Sequence, residues 1–184
     1  MLSFDVSDAD HTRALGQALA AYLKAGDLIM LHGELGAGKT TFTQGIGLGL
    51  HVRGQVSSPT FIVARTHPSL VGGPALIHAD AYRITDLEDM ETLDLDSTLD
   101  QAVTVIEWGE GKAEGLSDQR LEVDIIRPIG GDTTRDGEVI DLENMDDGQR
   151  TVTLRTHGTR WVGELERLDQ EARALLEADE DTAE

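Results

Sequence analysis

The octapeptide Gly33-Glu34-Leu35-Gly36-Ala37-Gly38-Lys39-Thr40 has the spacing G-x-x-x-x-G-K-[ST], and few folds can present it. The pattern needs a glycine-rich turn whose N–H groups converge on phosphate oxygens, delivered by a strand and followed at once by a helix whose positive end adds to the field. Both neighbours are legible. Leu28-Ile29-Met30-Leu31, bounded by Gly26-Asp27 and His32-Gly33, has the length and apolarity of a buried strand. Lys39 to Leu50 reads as the helix, although Gly45, Gly47 and Gly49 each weaken its end by about 1 kcal/mol relative to alanine. Those three glycines lie inside a helix rather than between a strand and a helix, so they are no dinucleotide fingerprint, and we assign them no functional role.

The remaining elements fit an α/β fold of the P-loop NTPase kind, a mixed, mostly parallel sheet flanked by helices in a single domain. Leu2 to Val6 alternates as an opening strand, and Ser7 or Asp8 can cap a helix in which Ala14, Leu15, Ala18, Leu19, Tyr22 and Leu23 recur at helical spacing up to Gly26. Ile62 to Arg65 and Ala75 to Asp80 read as strands separated by the loop from Ser69 to Pro74, and Asp86 to Asp96 reads as an acidic surface helix with Leu87, Met90 and Leu93 on one seam. Arg120 to Arg127 and Arg150 to Thr156 alternate as two more strands around a glycine-rich acidic insert from Gly130 to Gln149. From Trp161, the residues Val162, Leu165, Leu168, Ala172, Leu175 and Leu176 predict an amphipathic helix, with Glu177 to Glu184 a frayed tail. We therefore divide the chain into a P-loop domain over 1–160, carrying the insert at 130–149, and an acidic helix and tail over 161–184.

Charge limits the partners. Residues 1–85 hold six acidic and six basic side chains, so the whole net charge of −20 lies in residues 86–184. A nucleic-acid binder draws its affinity from lysines and arginines that displace counterions, and no basic stripe exists to do this. If RNA is involved, something else grips it. There is no cysteine, no apolar run near the roughly 20 residues that span a bilayer and no signal pattern at the N-terminus, which leads us to expect a cytoplasmic protein without membrane attachment.

Two carboxylates stand where such a site needs them. Asp80 ends the run Ala75-Leu76-Ile77-His78-Ala79-Asp80, and Glu107 ends the β-branched run Ala102-Val103-Thr104-Val105-Ile106-Glu107. Ligands of parallel α/β sheets bind beyond the carboxyl ends of the strands, and in P-loop proteins an apolar strand delivers an acidic group to Mg²⁺. Val56-Ser57-Ser58-Pro59-Thr60-Phe61 reads either as a turn held by Ser-Pro or as a nucleotide-sensing loop. The six histidines show no metal-ligand spacing; His78 is the one beside the chemistry, where it either packs or touches the nucleotide.

GELGAGKTT (33–41), SSPTF (57–61), HADAYR (78–83) and VIEWGE (105–110) together, in this order, resemble the bacterial TsaE (YjeE) ATPases over most of residues 2–156. The resemblance implies that ATP and Mg²⁺ are bound, and that the chain works with the TsaB and TsaD proteins in forming threonylcarbamoyladenosine beside the anticodon of tRNAs reading codons that begin with A. It implies that Gly33 and Leu35, Gly36, Ala37, Gly38, Lys39, Thr40 and Thr41 hold the phosphates, that Lys39 neutralises the β and γ groups, and that Thr40 and Glu107 serve Mg²⁺. Asp80 matches the motif aspartate near the γ-phosphate, Ser58-Pro59-Thr60 the switch-like loop and Trp108 the family's tryptophan. The chain departs from the pattern at Gly109, where proline is usual, and at the alanines of HADAYR.

Either Asp80 or Glu107 could orient the attacking water. Arg83 and Arg150 are the candidate arginine fingers, and neither is compelling, so weak turnover alone with stimulation by partners is expected; a finger supplied in trans is worth about 10³ to 10⁵ in rate. Two other readings use the same loop: a small-molecule kinase, and a binding subunit whose nucleotide only gates partner docking.

Overall fold

In a computed structural model of the chain, residues 1–59, 64–82, 98–127 and 148–180 are described. The strand before the phosphate loop, β2 (Leu28–His32), is the centre of a seven-stranded sheet, and its first four residues are fully buried. The other strands are β1 (Leu2–Val6), β3 (Ala64–His67), β4 (Ala75–Asp80), β5 (Ala102–Glu107), β6 (Arg120–Ile126) and β7 (Arg150–Thr156), in the spatial order β1-β7-β6-β2-β5-β4-β3. The central four, β6, β2, β5 and β4, are mutually parallel, while β7 and β3 run against their neighbours. β1 pairs antiparallel with β7 and so shares the direction of the central strands.

Three helices are present among the described residues: α1 (Ala9–Ala20), α2 (Lys39–Gly49) and α3 (Glu164–Glu180). α1 begins where Asp8 accepts the N–H groups of Asp10 and His11 at 2.9 and 2.8 Å, which identifies Asp8 rather than Ser7 as the cap. It ends at Ala20, and Tyr22 and Leu23 follow in turns bonded to Leu19 and Ala20, so the helix is shorter than its apolar repeat.

Side chains alternate along a strand, and the core divides accordingly. Ile29 and Leu31 of β2, with Val103, Val105, Leu121 and Val123, pack with Leu15, Leu19, Phe42, Ile46, Leu168 and Ala172 of the helices. Leu28 and Met30 face the other way, into a smaller cluster with Ile77, Ala79, Ala81, Ile106 and Ala113. The three described helices thus contribute to one cluster rather than flanking the sheet on both sides.

Several expectations are refined. The glycines of α2 do not fray it: the helix runs through Gly49, and a Cβ on Gly45 would lie 2.0 Å from the Arg13 carbonyl oxygen of α1. A Cβ on Gly16 of α1 would lie 2.3 Å from the Phe42 carbonyl oxygen. The two helices cross at backbone contact, which only glycine permits. β3 starts at Ala64, so of the strand expected over Ile62 to Arg65 only the last two positions are described. α3 begins at Glu164, after a turn that buries Trp161, and continues through Glu180 instead of fraying from Glu177. The acidic helix expected over Asp86 to Asp96, and the insert from Gly130 to Gln149 apart from its last two residues, lie outside the described residues.

Candidate functional site

The loop between β2 and α2 turns through Gly36 and Gly38, whose φ values of 79° and 112° lie in the left-handed region that glycine adopts at no steric cost. Gly38 is the N-cap of α2 and supplies no side-chain oxygen. The first intrahelical bond runs from the Phe42 N–H to the Gly38 carbonyl at 2.9 Å, so the preceding N–H groups open outward at the positive end of the helix dipole. Glycine is required at Gly33 as well, since a Cβ there would sit 2.4 Å from the Ile125 carbonyl oxygen of β6.

Lys39 folds back over this loop. Its ammonium donates to the carbonyls of Gly33 and Glu34 at 2.8 and 2.9 Å and lies 4.0 Å from the centre of the Trp108 ring. Burial pushes the lysine below its ordinary range, while the charges of Glu107 and Asp80 pull the other way.

β4 and β5 are in register, Asp80 beside Glu107. Both carboxylates therefore emerge together at the carboxyl edge, on the face that α2 covers. The Thr40 hydroxyl donates to Glu107 Oε1 at 3.1 Å, and His78 Nε2 lies 2.8 Å from the same oxygen. His78 is wholly buried, and its role is to hold Glu107; its Nδ1 has no hydrogen-bond partner among the described residues. Asp80 Oδ1 accepts the Tyr82 N–H at 2.8 Å. Directly after Glu107 the chain turns through Trp108 at φ 60°, a value uncommon for a bulky residue. That turn lays the indole against Lys39 and edge-on to Tyr82, with ring centres 5.4 Å apart.

These groups line a cavity of about 670 Å³ walled by Leu35, Gly36, Gly38, Lys39, Thr40, Thr41, Ser58, Asp80, Tyr82, Glu107 and Trp108. Ser58 is thus at the site, while Thr60 and Phe61 lie outside the described residues. Ala37 is buried and is not among the residues that wall the cavity. No three histidine, aspartate or glutamate side chains among the described residues form a cluster able to hold a metal ion. The oxygen pair of Thr40 and Glu107 does suit Mg²⁺, which keeps few protein ligands and fills its octahedron with phosphate and water oxygens.

Arg150, a candidate finger in the sequence, is turned onto the backbone of the loop. It is buried, and its guanidinium donates to the Ala37 carbonyl at 2.8 Å and to that of Gly36 at 3.4 Å. It braces the loop from behind and is not a finger; Arg83 lies outside the described residues. Lys112 donates to the Ala81 carbonyl at 2.8 Å, a partner 31 residues away that no local pattern indicates. At Gly109 a Cβ would meet Ile106 and Ala113 at 3.0 and 3.1 Å, so the space around it is tight. Ala79 and Ala81 of HADAYR are fully buried in the smaller cluster.

Residues 6–135 match the family model described as "Threonylcarbamoyl adenosine biosynthesis protein TsaE". The tRNA threonylcarbamoyladenosine biosynthesis protein TsaE of Streptomyces coelicolor is 53% identical over 151 residues, 82% of this chain and 93% of that protein. Its namesake in Bacillus subtilis is 38% identical over 132 residues, 71% of this chain and 80% of that one. The crystal structure of Bacillus subtilis YdiB superimposes with a TM-score of 0.68 at 29% identity, covering 92% of this chain and 95% of the other. With the family model matched over residues 6–135 and relatives 53% and 38% identical over more than two thirds of its length, the chain belongs to the TsaE family.

Proposed function

We propose that this chain is the ATP-hydrolysing component of tRNA threonylcarbamoyladenosine formation, that it binds Mg²⁺-ATP at the loop, and that it acts with TsaD and TsaB while touching tRNA only indirectly. The pathway rests on the family and on the names its relatives carry. For the chemistry, the observation that carries the reading is the Thr40 hydroxyl on the Glu107 carboxylate at 3.1 Å, where α2 starts and beside the folded-back Lys39.

Phosphoryl transfer asks a protein mainly to position the nucleotide and balance its charge. The outward N–H groups of the loop and of α2 bind phosphate oxygens, and Lys39 leaves the Gly33 and Glu34 carbonyls to pair with the β and γ groups. Thr40 and Glu107 would hold Mg²⁺, which draws charge from those groups when bound. Glu107 is already engaged by Thr40 and His78, which favours Asp80, one strand over, as the carboxylate that orients the attacking water. Trp108 and Tyr82 wall that corner of the cavity. The buried Arg150 offers no cationic finger, which fits an enzyme slow alone and stimulated by its partners. The acidic second half acts weakly here, because exposed charges beyond about 8 Å are largely screened at physiological salt.

The test is reconstitution with TsaB, TsaD, tRNA and ATP using Asp80→Asn and Glu107→Gln. Hydrolysis falls about 10² fold or more in Asp80→Asn, modification fails in both, and ADP still binds Asp80→Asn. Modification at the wild-type level by both variants would sink the ATPase reading.

A further inference from the structure

The phosphate loop is gripped from outside by a strand that belongs to neither of its own elements. Arg150 opens β7, where its backbone is paired with Val6 of β1. Its Nε donates to the Ala37 carbonyl at 2.8 Å, Nη2 to the Gly36 carbonyl at 3.4 Å and Nη1 to the Gln149 carbonyl at 2.7 Å. The planar fork of a guanidinium can span several carbonyls at once, which a lysine ammonium on its flexible stem cannot reproduce.

The consequence follows from the planarity of the peptide. In a trans peptide the carbonyl and the next N–H point in opposite directions, and no peptide among the described residues is cis. Holding the Ala37 oxygen against Arg150 therefore aims the Gly38 N–H away from β7, toward the cavity that Gly38 lines. The Ala37 N–H is occupied by the Glu34 carbonyl at 3.1 Å, so the Gly38 N–H is the one this grip directs at a ligand. The grip falls where the backbone has the most freedom to lose, since Gly36 and Gly38 adopt left-handed conformations and lack side chains. On the far side, a Cβ on Gly38 would lie 3.7 Å from Thr12 Cγ2 of α1, and one on Gly148, two residues before Arg150, would lie 3.2 Å from the Cα of Asp8, the cap of α1.

We infer that Arg150 is a positioning residue for phosphate binding: it fixes the Gly36 and Ala37 carbonyls back against β7 so that the loop is preorganised before nucleotide arrives, without touching the nucleotide itself. This rests on the nucleotide-binding reading above. It assigns affinity for the polyphosphate to the β6–β7 corner, far from the loop in sequence.

The experiment measures ADP binding by calorimetry to the full chain and to Arg150→Ala and Arg150→Lys, with the melting temperature of each. ADP affinity falls about tenfold or more in both variants, the scale of a lost charged hydrogen bond, and the KM for ATP rises while kcat changes little. Millimolar guanidinium, well below denaturing levels, restores ADP affinity to Arg150→Ala and leaves the wild type unchanged. Full affinity in Arg150→Lys would show that charge alone suffices and would overturn the inference. So would a loss in Arg150→Ala that guanidinium does not reverse although the variant is folded at the assay temperature. If Arg150→Ala does not fold, Arg150→Lys decides alone. Failure of the wild type to bind ADP overturns the nucleotide reading itself, and this inference with it.

Discussion

Replacing Gly45 with alanine tests whether the α1–α2 crossing sets the position of the phosphate loop. The added methyl would sit 2.0 Å from the Arg13 carbonyl oxygen, 2.9 Å from its carbon and 3.0 Å from the Gln17 nitrogen. Ordinary contact begins near 3.4 Å, so the helices must part by 1.4 Å at this point, and the obstructing atoms are backbone that cannot rotate away. Overpacking of this kind costs about 3 kcal/mol at the upper end of its range. Alanine returns about 1 kcal/mol of helix propensity. The net loss is about 2 kcal/mol, or about 4 to 8 °C in melting temperature for a chain of this length. Urea unfolding with constant m would read it. Because α2 begins with Lys39 and Thr40, the same shift draws the Thr40 hydroxyl off Glu107, and ADP affinity falls with stability. Gly115 is the control: it has no positive φ, a Cβ there meets nothing within 4 Å, and Gly115→Ala changes stability by less than about 0.5 kcal/mol. A Gly45→Ala protein as stable as the wild type would refute the close crossing.

Other perturbations follow from the same reasoning. Arg160 holds the buried Asp27 through two bonds of 2.7 Å and also donates to the Tyr22 carbonyl at 2.7 Å. Arg160→Met leaves that carboxylate buried and unpaired and costs about 3 kcal/mol in denaturant unfolding, part of which Asp27→Asn restores in the double variant; no loss in the single variant would contradict the buried pair. Asp8→Ala removes the cap of α1 at a cost of about 1 kcal/mol. The His11 N–H bond to its carboxylate holds Asp8 below the usual carboxylate range. A depressed folded value stabilises above the ordinary carboxylate pKa and is lost as pH falls through the folded one. Stability of Asp8→Asn should therefore fall less steeply than the wild type below about pH 4, and parallel acid unfolding curves would disprove it.

The local elements of the site were written in the chain, because each depends on neighbours close in sequence. The β2 apolar run, the glycine spacing and Lys39-Thr40 dictate strand, turn and helix with no reference to anything distant. The runs ending in Asp80 and Glu107 announce two strands with carboxylates at their ends. Tertiary structure decided which of these meet. Strand pairing placed Asp80 beside Glu107, since parallel register is fixed by the whole sheet and not by either segment. It turned His78 onto Glu107, a pairing 29 positions apart that alternation alone could suggest but not choose. The glycines of α2 looked like weaknesses because helix propensity is a local quantity, whereas their use, a backbone crossing with α1, exists only when two helices touch. Arg150 was the hardest to read: an arginine opening a strand looks solvent-facing in sequence, and only the fold brings it to carbonyls 113 and 114 positions away. The sequence by itself determined that this chain builds a phosphate loop and two carboxylate-bearing strands. The fold decided which side chains hold that loop and those carboxylates in place, because hydrogen bonds between distant residues depend on distances that no local pattern encodes.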